Sequence, residues 1–154
     1  MLLNISLLKE VSNMKKIEFS IKINASKEKV WATLWNDSSY RQWTSVFAPD
    51  SHAVSDWKQG STIKFIDNKG DGMYSIIQTN LAFVQMSFKH LGEIKDAIEI
   101  NVDWEDSIEN YFLNESNGVT ELKMNMDIKE EYEEYFINMF PKALELIKQI
   151  SEKN

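Results

Sequence analysis

Ile17, Phe19, Ile21 and Ile23 alternate with Glu18, Ser20 and Lys22, the period-2 pattern of a strand with one face on a core and the other in water. Val30, Trp31, Leu34 and Trp35 then recur at helical spacing up to about Asn36, and Ser26 stands where an N-cap would accept from an orphan backbone amide. Asp37 and Ser38 predict the cap of a second short helix through Tyr40 and Trp43, and a loop with Pro49 ends this helical section.

From His52 onward the period changes to two. Gly60 precedes a run at Ser61 to Ile66, residues 67–72 (DNKGDG) read as a turn, and Met73 to Thr79 return as a strand, so a hairpin is predicted. Val84, Met86, Phe88 and His90 alternate with Gln85, Ser87 and Lys89, with Gly92 near the strand's end. Ile98, Ile100 and Val102 permit either a short strand or an extended loop before Trp104. Glu109, Tyr111 and Leu113 share one face of the next strand, and Asn117-Gly118 supplies the positive φ angles of a tight type I′ hairpin. In the partner strand Thr120, Leu122, Met124, Met126 and Ile128 share a face.

Between about Glu130 and Glu152, Tyr132, Tyr135, Phe136, Met139, Phe140, Ala143, Leu144 and Ile147 fall at helical spacing. This predicts a long amphipathic helix lying on the sheet. Pro141 removes one hydrogen bond inside it and crowds the carbonyl of Ile137; because the apolar register runs through it unbroken, one kinked helix is expected and not two. Strand, two helices, a strand series and a long helix together describe an α+β domain.

The chain has 154 residues and a formal net charge of -7, which fits one soluble domain. Residues 14–154 read as that domain. Residues 1–13 read as an N-terminal extension, non-native or marking an alternative start at Met14, and they lack the basic segment and cleavage site of a signal peptide. A cytoplasmic location is the expectation. No segment approaches the roughly 20 apolar residues of a membrane span. An acidic total without a Lys/Arg cluster argues against nucleic acid and anionic membranes as partners.

Zero Cys excludes disulfides and thiolate chemistry, and no metal site is expected from two separated His without HExxH or EF-hand spacing. The Gly70-Asp71-Gly72 stretch lies between strands and is a turn, not a phosphate loop. GxGxxG, P-loop and GxSxG patterns are absent, so no cofactor is expected. A long helix across a curved antiparallel sheet leaves room for a cavity of roughly 300 to 1,000 Å³, and the 18 aromatic residues, from 8 Phe, 5 Tyr and 5 Trp, are more than a small core strictly needs. Its inward polar candidates are His90 and Glu109, weak candidates for acid-base work and equally for a bland strand-end histidine and an ion-paired carboxylate. His52 reads as a surface residue.

The runs IKINASKEKVW from Ile21, DWKQGS from Asp56, KHLG from Lys89, ENYFL from Glu109, GVTEL from Gly118 and FPKALELIKQI from Phe140, with Trp43 between the first two, together resemble the SRPBCC (START-like) superfamily. Within it the branch most similar is the family named for activators of the heat-shock protein 90 ATPase, and the resemblance covers about residues 15–152. It implies a helix-grip fold, a strongly bent sheet gripping the C-terminal helix, with a hydrophobic pocket between them. The lining residues it implies are Trp31, Trp43, Phe65, Met86, Phe88, Tyr111, Met124, Tyr135, Phe136 and Met139, with His90 and Glu109 as the polar members. Trp104, in an acidic setting, reads as a pocket-rim or partner-surface residue.

The resemblance brings no shared catalytic constellation. Members that act as co-chaperones carry an additional N-terminal domain that residues 1–13 are too short to form. The first functional expectation is therefore a module that encloses a small hydrophobic or amphipathic molecule for carriage or sensing. The alternatives are a cyclase, dehydratase or hydrolase using the same cavity, and a chaperone-linked interaction module. A homodimer is compatible with all three.

Overall fold

The computed structural model describes residues 14–104 and 107–153. The expected extension at residues 1–13 lies outside them, as do Glu105 and Asp106 beside Trp104. Strand β1 (Met14–Ile23) buries Ile17 and Ile23 and leaves Glu18, Ser20 and Lys22 exposed. Helix α1 (Lys27–Trp35) begins as its cap predicts, with the Ser26 hydroxyl accepting from the Lys29 amide at 3.2 Å. Helix α2 (Asp37–Thr44) follows after a single residue. Its N-cap is Asn36, one residue ahead of expectation, because Asp37 is already helical and holds Arg41 one turn on at 3.0 Å.

Seven more strands follow: β2 (His52–Val54), β3 (Thr62–Ile66), β4 (Gly72–Leu81), β5 (Gln85–Lys95), β6 (Ile98–Asn101), β7 (Ile108–Ser116) and β8 (Val119–Lys129). All pairings are antiparallel, in the order β1-β8-β7-β5-β4-β3-β2, with β6 paired to β5 off that path. A short 3-10 turn (Glu130–Tyr132) leads into helix α3 (Glu133–Glu152). The result is α+β: a curved, open eight-stranded sheet with a C-terminal helix and two short helices after the first strand, as in the helix-grip fold.

The β7–β8 hairpin turns on Asn117 and Gly118, both at positive φ, as predicted. The segment 98–101 is a strand, one of the two readings the sequence permits, and all four of its residues are exposed. It pairs with β5 off the main strand order. β7 pairs with β5 only at Gln85–Lys89, and β6 takes the same edge farther on, at Gly92–Lys95.

Helix α3 runs through Pro141 as one element. Pro141 and Ile137, whose carbonyl loses its amide partner, both lie on the exposed side, where water can satisfy that carbonyl. The C-terminal half of α3 carries the densest packing, with Ala143 and Ile147 fully buried in one cluster with Ile23, Val30, Leu34 and Leu122. Thr120 fastens this end, since its buried hydroxyl donates to the Ala25 carbonyl at 2.7 Å. Thr120→Val removes that donor at nearly constant shape, and urea denaturation is expected to show a loss of about 1–3 kcal/mol.

A cavity with a hydrogen-bonded carboxylate

The other half of α3 stands away from the sheet. Tyr135, Phe136 and Phe140 on α3, Tyr40 and Trp43 on α2, and inward residues of β3, β5, β7 and β8 surround a cavity of about 420 Å³. Edge-to-face aromatic contacts make most of its wall: Phe65 to Phe88 at 5.1 Å, Trp35 to Tyr111 at 5.0 Å and Tyr40 to Trp43 at 5.3 Å between ring centroids. Such pairs hold their rings in fixed orientations and add about 0.5–1.5 kcal/mol each beyond area burial. Glu93, Lys129, Tyr132 and Tyr135 are the exposed members of the lining and mark where it meets solvent.

Three adjacent strands bring four polar side chains into one chain. Ser75 on β4 is paired in register with His90 on β5, just past a bulge that leaves Leu91 out of the β4 pairing. Phe88 on β5 is paired with Glu109 on β7, and Tyr111 lies two residues on, along the same face. The Ser75 hydroxyl lies 2.6 Å from His90 Nδ1, and His90 Nε2 lies 3.0 Å from Glu109 Oε1. The Tyr111 hydroxyl donates to Glu109 Oε2.

Ser75 is fully buried and, among the described residues, its hydroxyl has His90 as its one hydrogen-bond partner, so the buried O–H donates to Nδ1. With Nδ1 accepting, Nε2 is the side of the ring that donates to Glu109. Every donor in the chain thus points towards the carboxylate. Burial first, and then the Glu109 charge and the hydrogen bond to it, push the Tyr111 phenol well above its ordinary range and keep it a donor. Tyr40 is pushed the same way, by burial and then by Glu109. A carboxylate offers about four lone-pair sites, so Glu109 still has acceptor capacity for a group placed in the cavity.

Of the residues expected to line a pocket, Trp43, Phe65, Phe88, His90, Glu109, Tyr111, Tyr135 and Phe136 are on this wall. Met86 and Met124 sit in the core, almost wholly buried and off the wall. Trp31 packs its ring against Trp35 and Phe83, and Met139, half-buried on α3, is also off the wall. Trp104 lines the cavity with its ring edge-to-face to His90 at 6.5 Å. His52 is half-buried away from the wall, with Nδ1 3.1 Å from the Asp50 carbonyl. Sequence reading overlooked Ser75, Tyr40, Phe47 and Phe140. For Ser75 a signal existed, since it shares a strand face with Ile77 opposite the strand that carries His90 and Phe88. Among the described residues no group of three or more His, Asp or Glu could hold a metal ion, and no helix is long and apolar enough to cross a membrane.

No family model matches the chain, and no curated protein matches it in sequence. Solved structures do match. A dimeric Aha1 from Colwellia psychrerythraea is similar with a TM-score of 0.69 at 20% identity, over 90% of this chain and 96% of that one. CalU16 from Micromonospora echinospora is similar with a TM-score of 0.64 at 13% identity, over 90% and 77% of the two chains. A protein of Chromobacterium violaceum gives 0.66 at 12% identity, over 90% and 98%. These neighbours are helix-grip proteins, and at such identities they establish the shared fold and nothing narrower.

Proposed function

We propose that the protein binds a small, largely apolar molecule in the cavity between α3 and the sheet, for carriage or sensing, with the polar part of the ligand at Glu109. The single observation that carries this reading is an aromatic-walled cavity of about 420 Å³ with one inward carboxylate already oriented by His90 and Tyr111. That is the usual form of a ligand site, apolar walls with a few placed polar groups. The helix-grip neighbours add support at the level of fold.

Native mass spectrometry of freshly purified protein, run beside an organic extract of the same sample, tests it. The expected result is a reproducible added mass on the folded chain that moves into the extract. A bare chain mass, together with no thermal stabilisation by any of a panel of apolar compounds, would overturn it. The same spectrum gives the subunit count, and a homodimer is the expectation that the dimeric Colwellia protein supports.

A second reading adds chemistry to the same cavity. The 3.0 Å contact between His90 and Glu109 is within reach for general acid-base work of the cyclase, dehydratase or hydrolase kind. Replacing both residues without any loss of turnover would exclude it.

A further inference from the structure

The cavity's electrostatics go further than its shape. Among the described residues, the charged side chains on its wall are Glu93, Glu109 and Asp127, against the single cation Lys129. Asp127 has partial compensation, from the Lys16 ammonium at 3.8 Å and the Ile108 amide at 3.3 Å. The ionisable partner at Glu109 is the His90 ring, whose Nε2 lies 3.0 Å from Oε1; its other oxygen is met by the phenol of Tyr111, and its side chain is only 17% exposed. A carboxylate in that position repels a second anion and attracts a cation far more strongly than a surface carboxylate does, because little water screens it. Around it the walls are aromatic, and the faces of Trp, Tyr and Phe rings carry the negative end of the ring quadrupole, which favours a cation within about 6 Å.

Resting on the cavity reading above, we infer that the ligand is an amine: an apolar or aromatic body bearing a protonated nitrogen that sits against Glu109 within the aromatic wall. Carboxylate ligands such as fatty acids are disfavoured by the same arrangement. The ammonium donates to the lone pairs of Glu109 that His90 and Tyr111 leave open, and the body of the ligand fills the space beside Trp43, Phe65 and Phe88.

The test is a calorimetric titration of the full chain at pH 7.5 with three probes that share one apolar body: 1-naphthaleneethylamine, 1-naphthaleneethanol and 1-naphthaleneacetate. The amine is expected to bind at least about tenfold more tightly than the alcohol, and the acetate most weakly. Glu109→Gln should bring amine and alcohol to the same affinity, while Glu145→Gln, exposed on α3 and off the cavity wall, should keep the preference. A second measurement on the unaltered chain needs no variant to fold: at 0.5 M salt the preference should persist, because a buried pair is screened little. If alcohol and acetate bind and the amine binds no better, the cavity reading stands and the amine inference falls. A preference that survives Glu109→Gln, or disappears in salt, assigns it to the diffuse charge of an acidic chain and also overturns the inference. Binding of none of the three overturns both.

Discussion

Above about pH 10 the protein loses stability steeply and unfolds, and two buried phenols are the cause. Tyr40 and Tyr111 are 6% and 2% exposed, and burial first, then the nearby Glu109 charge, raises the pKa of each above that of a free tyrosine. In the unfolded chain both ionise near pH 10. Above that pH the unfolded state has released protons that the folded state still holds, so stability is complete below pH 10 and declines as pH rises. Each raised phenol contributes a loss of about 1.4 kcal/mol per pH unit, and two together about 2.7 kcal/mol. Over two units that approaches the 5–15 kcal/mol that roughly bounds the stability of whole domains. Urea midpoints measured at intervals from pH 8 to 12 should fall accordingly, with the tyrosinate absorbance of the two buried phenols appearing only as the chain unfolds. Tyr40→Phe and Tyr111→Phe should each flatten the slope by about one third to one half. Tyr132→Phe, at 51% exposed, should leave it unchanged. A Tyr111→Phe slope equal to that of the unaltered chain would mean the phenol ionises freely in the folded state, contrary to its burial.

That two such phenols stand beside a carboxylate could not be read from the sequence, although the elements that carry them could. Alternation at Ile17–Ile23 and Thr120–Ile128 and the Asn117-Gly118 turn are local signals, and the structure follows them. The β5–β6 hairpin lacked such a signal. Its turn is Asp96-Ala97, both at positive φ, a conformation alanine rarely adopts, and pairing to β5 holds it there. The site fell between these cases. Period two put His90 with Phe88 and Glu109 with Tyr111 on inward faces, but the pairing of Ser75 with His90 depends on a bulge at Leu91 that no local pattern announces. The methionines show the same limit. Met124 and Met126 share a strand face, yet only Met126 reaches the cavity, because Met124 lies deeper, with no exposed surface at all. Facing inward is a property of a strand; facing empty space depends on where α3 leaves the sheet.

Gly92→Ala is expected to detach the β6 edge and lower stability by about 2–3 kcal/mol, the range of a forced overpacking. Gly92 lies between Tyr74 on one neighbouring strand and Asn101 on the other. A Cβ there would stand 2.1 Å from the Ile100 carbonyl oxygen and 2.8 and 2.9 Å from the Tyr74 ring and hydroxyl. Tyr74 is a side chain and can swing aside. The carbonyl belongs to the backbone of β6, so relief requires the strand itself to move. The segment from β6 to β7 carries Trp104 onto the cavity wall and the Ser107 carbonyl onto the His90 amide at 3.0 Å. Displacing β6 therefore loosens the residue that orients Glu109. Thermal denaturation should report the loss as a fall of about 5–10 °C for a domain of this size. Hydrogen exchange should locate it, with early exposure of the Val102 amide, which donates to the Leu91 carbonyl at 3.0 Å, and of the His90 amide. The β1–β8 amides should keep their protection at this early stage, because that ladder shares no strand with β5 or β6. Uniform loss of protection across both regions would mean that the sheet opens as a single unit and that the β6 edge has no independent part in shaping the cavity.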